Sequence, residues 1–282
     1  MIPYENVKRI FKRLFRNKLT VIGFILILVN LIMVIFAPVI SPFDPEKMHL
    51  VDRHTAPCLK YLLGTDFYGR DILSRIIYGS RISFTLGLSV VSCSLVLGTA
   101  IGLCAGYFGG KIDSFLMRLT DVFLSFPSLV FAMAIMSIRG QGFENVVIAL
   151  TVVSWTAFAR LARAEALSLR KREFVQAAQS LGAVTPRILL VHILPNLMAP
   201  IIVQATMGMA MPILTESALT FLGIGMPPNI PSWGGMLSVD RDFIETAWWS
   251  VTYPGLAIAF AVLGFNLFGD GLRDALDPKS GR

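Results

Sequence analysis

Long apolar runs separated by short polar ones set the plan of this chain. Six of them approach or pass the ~20 mainly apolar residues that a helix needs to cross a bilayer. They lie near 19–40, 82–107, 114–138, 143–165, 197–223 and 248–271. The polar interval between the fourth and fifth runs is patterned rather than loose: RKREFVQAAQSLGAVTPRILLVHILPNLMAP, Arg170 to Pro200. Phe174, Ala177, Ala178 and Leu181 stand at i, i+3, i+4 and i+7 on one side of a short helix, with Arg170, Lys171, Arg172 and Gln179 mostly off that side. Gly182, one step past the last periodic residue, supplies a left-handed stop. Thr185 and Pro186 then read as the N-cap and first position of a second helix ending near Pro195. The product is an elbow carrying a compact apolar knob ringed by positive charge. On the cytoplasmic side of a membrane protein it suits a groove on a soluble partner. The same spacing also fits a segment lying flat among lipid headgroups.

The remaining elements follow in order. The interval 41–81 opens among Pro38, Pro42 and Pro45 and is irregular in its first half. Its second half, Gly64 to Arg81, predicts a helix along the membrane surface, with Asp66–Arg70 and Asp71–Arg75 as acid-to-base pairs and Ile72, Ile76 and Ile77 as the apolar face. That helix either braces the bundle or meets a soluble partner. Ser94, Gly98, Gly102 and Gly106 recur every four residues in the second run, a small-residue stripe for close helix packing within the subunit or against a second one. In the third run Pro127 predicts a kink, and Arg118 and Asp121 are spaced to pair. The fifth run holds Glu216 deep among apolar residues. With Met211 and Thr215 it is a candidate lining for a translocation route, the alternative being a hydrogen-bonded structural group. Between the last two runs, Trp233, Trp248 and Trp249 predict an outer loop anchored in the interfacial aromatic belt.

Composition narrows the class. With 55% hydrophobic and 15% charged residues over 282 positions, the chain is too apolar for a soluble domain of its size. Lys8, Arg9, Lys12, Arg13, Arg16 and Lys18 precede the first run, which holds the N-terminus in the cytoplasm; an even number of crossings returns the C-terminus there. The first run is too long for a signal peptide and Pro38 to Pro42 offers no small-residue cleavage site, so it reads as a retained anchor. A net charge of +7 placed mostly at span ends is explained by orientation and anionic lipid, not nucleic acid. Cys58, Cys93 and Cys104 lack metal or redox spacing, and the latter two read as packing residues. The turn Gly106 to Asp113 fails as a phosphate-binding loop, because Ala105 and Ile112 stand where a glycine and a Ser or Thr are needed. No nucleophile, metal pair or catalytic residue is evident, which leaves a transporter or channel rather than an intramembrane enzyme.

The elbow residues also resemble a known signature. Gln176-Ala177-Ala178, three residues, Gly182, then Leu194-Pro195 is similar to the EAA-x3-G-x9-I-x-LP signature of ABC importer permeases, with Gln176 for Glu and His192 for Ile. HILPN (His192 to Asn196), GTDFYGRDILSR from Gly64, MRLTDVFLSFP from Met117, the SWG segment ending at Gly234 and NLFGDGLRDALDP ending at Pro278 resemble the dipeptide, oligopeptide and nickel branch. The resemblance implies an all-α integral membrane protein of the type I ABC importer permease fold. Its parts would be a basic cytoplasmic tail 1–18, a first transmembrane helix 19–40, an extracytoplasmic loop 41–81, a five-helix core 82–271 with a coupling loop at about 166–196, and a cytoplasmic tail 272–282. It further implies a place in a bacterial or archaeal inner membrane, a sister permease subunit, two ABC ATPase subunits that use ATP and Mg, and an extracytoplasmic substrate-binding protein. No cofactor or metal would be bound by this chain. Phe174, Gln176, Ala177, Ala178, Leu181, Gly182 and Pro195 would couple to the ATPases.

Overall fold

A computed structural model describes residues 13–276. Among them the chain is helical, with one isolated bridge between Thr65 and Asp71 and no strand. Helix α1 spans Lys18–Ile40, α2 Ile72–Phe108, α3 Gly110–Leu124, α4 Ser128–Arg139, α5 Phe143–Arg170, α6 Glu173–Ser180, α7 Thr185–Phe221, α8 Trp233–Asp240 and α9 Trp249–Leu276. Side-chain caps open two of the long ones. Asn17 accepts the Leu19 N–H at 3.0 Å, and Asp71 accepts the Ser74 N–H at 2.8 Å. Helices α1, α2, α5, α7 and α9 are each long and apolar enough to cross a bilayer.

The third predicted span departs from a straight or gently kinked helix. Helices α3 and α4 qualify as a crossing only together, and they are bent by 85°. Pro127 sits at the break in extended ψ, lacks the N–H that would continue the ladder, and disfavours helical geometry at Phe126.

Helix directions follow from the seams. Gly98 lies against Trp155 and Phe158, Gly102 against Ala159 and Ala162, and Gly106 against Arg163 and Ala166, so α2 and α5 run parallel at close range. Gly87 meets Ile213 and Met209, which makes α7 antiparallel to α2. Gly23 meets Leu267 and Gly264 meets Leu26, which pairs α1 with α9 antiparallel. The elbow α6 therefore lies at one end of the bundle, and residues 41–71 with α8 cap the other. Between them a core built from Val91, Phe158, Leu197, Ile201, Ile213 and Phe265 fills the centre.

Two boundary expectations are corrected. No separate surface helix spans Gly64 to Arg81: residues 64–71 form a tight irregular turn, and from Ile72 the helix runs unbroken into the second span. Ile72, Ile76 and Ile77 are buried, the first two in a cluster with Met236, Ala247 and Trp249, so their apolar face brings protein rather than lipid into contact. The second elbow helix likewise does not end near Pro195. A π-helical stretch at Ile188–Ile193, followed by a Leu194 N–H bond to the Leu189 carbonyl, widens the turn ahead of Pro195. That widening accommodates the ring and the missing donor, and α7 continues to Phe221.

Candidate functional site

At the elbow, α5 ends at Arg170 and the chain turns through Lys171 and Arg172 into α6. Val175 is the anchor of this helix, fully buried in the core cluster that also holds Tyr107, Ala166 and Ile188. Gln179 adds a bond to the Tyr107 hydroxyl at 3.3 Å. The helix closes in a Schellman motif: the Ala183 N–H bonds the Ala178 carbonyl at 3.0 Å and the Gly182 N–H bonds the Gln179 carbonyl at 3.0 Å. Gly182 carries φ of +79° there, the left-handed region that favours glycine.

With Val175 turned inward, the opposite face of α6 is left without a partner among the described residues. Phe174, Gln176 and Ala177 are exposed, Leu181 is 88% exposed, and Val184 extends the apolar patch beyond the turn. Ala178 is half-buried at its edge. Lys171, Arg172 and Arg187 are exposed around it. Pro195 is exposed too, but on α7 rather than on the knob.

Two ion pairs brace the bend of α3 against α5. The Arg163 guanidinium holds both carboxylate oxygens of Asp113, and Arg160 bonds Asp121 at 2.6 Å. Asp121 therefore pairs with α5 and not with Arg118, as spacing along one helix had predicted. The antiparallel course of α5 beside α3, with Asp113 opposite Arg163 and Asp121 opposite Arg160, puts an arginine of the neighbouring helix within reach of it.

Mid-bundle, α2, the α3/α4 bend, α5 and α7 enclose a cavity of about 240 Å³. Met211 and Thr215 line it, together with Ser94, Ser128, Ser154 and Gln204. Glu216 does not. It points to the other side of α7, is fully buried, and accepts the Thr220 hydroxyl at 2.9 Å and the Ser217 hydroxyl at 3.4 Å. Thr220 Oγ1 in turn accepts the Met226 N–H at 2.9 Å, so the carboxylate anchors the turn that follows α7. The small-residue stripe divides in the same way: Gly98, Gly102 and Gly106 touch the α5 backbone, whereas Ser94 lies behind the cavity wall.

The capping end is held by buried polar groups. Asp66 accepts the Tyr68 and Arg70 N–H groups at 2.9 Å each and the Arg70 Nε at 2.7 Å. Arg75 comes within 3.7 Å of the same carboxylate and bonds the Pro45 carbonyl at 2.8 Å. The expected Asp71–Arg75 pair is thus replaced: Asp71 is spent as the cap of α2. Asp240, at the end of α8, accepts the Phe67 N–H at 3.0 Å and contacts His54 Nε2 at 3.0 Å, which ties the two loops together. Burial pushes the Asp240 carboxyl above the ordinary carboxylate range, with the nearby Asp66 charge adding to it against the His54 and Phe67 bonds. Two of the three tryptophans expected in the aromatic belt are instead buried here. Trp233 donates to the Ile76 carbonyl at 3.0 Å and Trp249 to the Thr65 carbonyl at 3.3 Å, leaving Trp248 exposed. Cys93, read as a packing residue, is exposed on the surface of α2.

Gln204, Ser128, Ser154 and the His54–Asp240 contact were not singled out from the sequence. A signal for the first existed: Gln204, Gly208, Met211 and Thr215 stand at i, i+4, i+7 and i+11, one face of α7, and all line the cavity.

Comparison with known proteins bears on these features together. Residues 98–282 match the family model described as binding-protein-dependent transport system inner membrane component. The chain belongs to that family. Residues 7–57 match a second model, the N-terminal TM domain of oligopeptide transport permease C. Over 95% of its length and 88% of the relative's, the chain is 46% identical to the dipeptide transport system permease protein of Alkalihalophilus pseudofirmus. It is 44% identical to the di/tripeptide transport system permease protein of Pseudomonas aeruginosa, covering 97% of this chain and 92% of that one. It is 40% identical to the glutathione transport system permease protein of Pectobacterium atrosepticum, covering 96% and 91%. Among solved structures, a chain of the inward-facing MetNI methionine ABC transporter superposes with a TM-score of 0.61 at 13% identity, covering 73% of this chain and 98% of that one. The fold is that of the type I ABC importer permeases, and the protein is a multi-pass inner membrane component.

Proposed function

We propose that this chain is one of two pore-forming permease subunits of an ATP-driven importer of di- or oligopeptides. The observation that carries the reading is the elbow. A short helix is fixed from below by Val175 and a Schellman turn, yet presents Phe174, Ala177, Leu181 and Val184 to no partner among the described residues. An apolar patch of that kind, framed by Lys171, Arg172 and Arg187, suits the cleft of an ATPase subunit. The names of the relatives favour peptide cargo over a nickel complex.

In this reading the elbow end and both termini face the cytoplasm, in keeping with the basic residues Arg160, Arg163, Arg170, Lys171, Arg172 and Arg187 gathered towards that end. The capping end receives a substrate-binding protein. A sister permease closes the open side of the mid-bundle cavity, and two ATPase subunits, which hold the ATP and Mg, sit below. Their closure would push on α6. Because α6 is welded through Val175 and Gln179 to α2, α5 and α7, the push would move those helices as a body between inward- and outward-facing arrangements.

Leu181→Asp tests this directly, since it places a charge on the exposed knob without touching the core. In proteoliposomes carrying the co-purified complex, the expected outcome is loss of ATP-dependent peptide uptake, with the ATPases dissociating from an intact membrane subunit. Uptake that persists with the ATPases absent would overturn the proposal.

A further inference from the structure

We infer that the mid-bundle cavity is a transit subsite that recognises the neutral peptide bond of the cargo, with Gln204 and Ser154 as its contact groups; this deepens the peptide-importer reading and rests on it. Its lining alternates apolar surface with the hydroxyls of Ser94, Ser128, Ser154 and Thr215 and the amide of Gln204, and includes no ionisable side chain. Ser94 borders the space, but its Oγ is fully buried and has no hydrogen-bond partner. Ser154 and Gln204 are half-buried and have no partner among the described residues, whereas Thr215 returns its hydroxyl to the Met211 carbonyl at 2.8 Å. Accessible donors and acceptors on one cavity wall that are not taken up by the protein itself are free to bond a ligand in passing.

The chemistry of that ligand follows from the donor set. Hydroxyls and a carboxamide can match an amide N–H and C=O at once, while offering no charge to hold a cation or an anion in place. Weak, neutral contacts also suit a route that must release its cargo. Gln204 has a second property. It lines both this cavity and the larger groove, about 640 Å³, that opens towards the elbow end between α5, α7 and α9. That groove, unlike the cavity, carries charged side chains, Glu165 and Arg273.

The test compares uptake of dialanine with that of its ester analogue, alanyl-lactate, in which oxygen replaces the amide N–H. The complex carries the same binding protein throughout, so a change in the ratio of the two rates between variants reports the permease alone. In the wild type the ester should move more slowly by about fivefold, the effect of one lost hydrogen bond. In Gln204→Met, close in size, dialanine uptake should fall to the ester's rate, with assembly and ATPase activity kept; Ser154→Ala should narrow the ratio in the same direction. A ratio unchanged in both variants, or both rates falling together, would overturn the subsite while leaving the importer reading intact. A wild-type complex that imports neither these compounds nor longer alanine peptides would overturn the importer reading and the subsite with it.

Discussion

Replacing Gly102 by alanine sets two opposed terms against each other at the α2–α5 seam. In an unobstructed helix the exchange gains about 1 kcal/mol of helix propensity. At Gly102 the added methyl would stand 2.7 Å from the Ala162 Cβ and 2.9 Å from the Arg163 N, and closer still to the Ala159 carbonyl. Attractive carbon contact begins near ~3.5 Å, so the shortfall against Ala162 is about 0.8 Å. Two of the three obstacles are α5 backbone, which no rotamer change can move aside. The helices must part, and Gly98 and Gly106, which lie on the same seam, lose their contacts as well. Overfilling a packed interior by one methyl costs ~1–3 kcal/mol, and a backbone obstacle belongs in the upper half of that range, which leaves a net loss of roughly 1–2 kcal/mol. Gly255 provides the control, for it is also helical, in α9, and an added methyl there meets nothing within 4 Å. Thermal unfolding of the purified complex should place the Gly102→Ala midpoint below wild type and the Gly255→Ala midpoint at or above it. Equal midpoints for the two variants would refute the reasoning that this seam is closed by glycine.

Two further outcomes follow from the buried carboxylates. Glu216→Gln keeps an acceptor for the Thr220 hydroxyl, so peptide uptake should stay near wild type, whereas Glu216→Leu removes that acceptor and should cost ~1–3 kcal/mol of stability in the turn after α7. Loss of uptake in a normally assembled Glu216→Gln complex would place the carboxylate in the route after all. For Asp240 the sign runs from its raised pKa. The stabilisation it brings is complete below the ordinary carboxylate value of about 4 and is lost as pH rises through the higher folded value. Asp240→Asn cannot ionise and still accepts the Phe67 N–H, so it should slow hydrogen exchange in the loop cap relative to wild type at neutral pH, with the advantage vanishing below about pH 4. An advantage that does not change with pH would refute the burial argument.

What was legible in the sequence is what depends on neighbours along the chain. Helical spacing at Phe174, Ala177, Ala178 and Leu181 marked one face of α6, and Gly182 marked its stop, since a Schellman turn is completed within six residues. The apolar runs marked the five long helices and their order because backbone groups in lipid can be satisfied only within the helix itself, but not the 85° bend in the third run. The four-residue recurrence of Gly98, Gly102 and Gly106 announced a close seam, but not the helix that fills it. Where spacing was read too locally it misled. Arg118 lies one turn from Asp121, yet Arg160, 39 residues along, makes the bond.

Tertiary structure alone decided the rest. Which hydroxyls share a cavity with Gln204, which carboxylate joins the two capping loops, and which side of α7 faces the space between helices all depend on how helices distant in sequence are rotated and set against one another. A period of 3.6 residues fixes which side chains share a face of one helix. It leaves undetermined what that face will meet. For that reason Met211, Thr215 and Glu216, neighbours on a single run, divide in the folded chain between a cavity wall and a buried turn anchor.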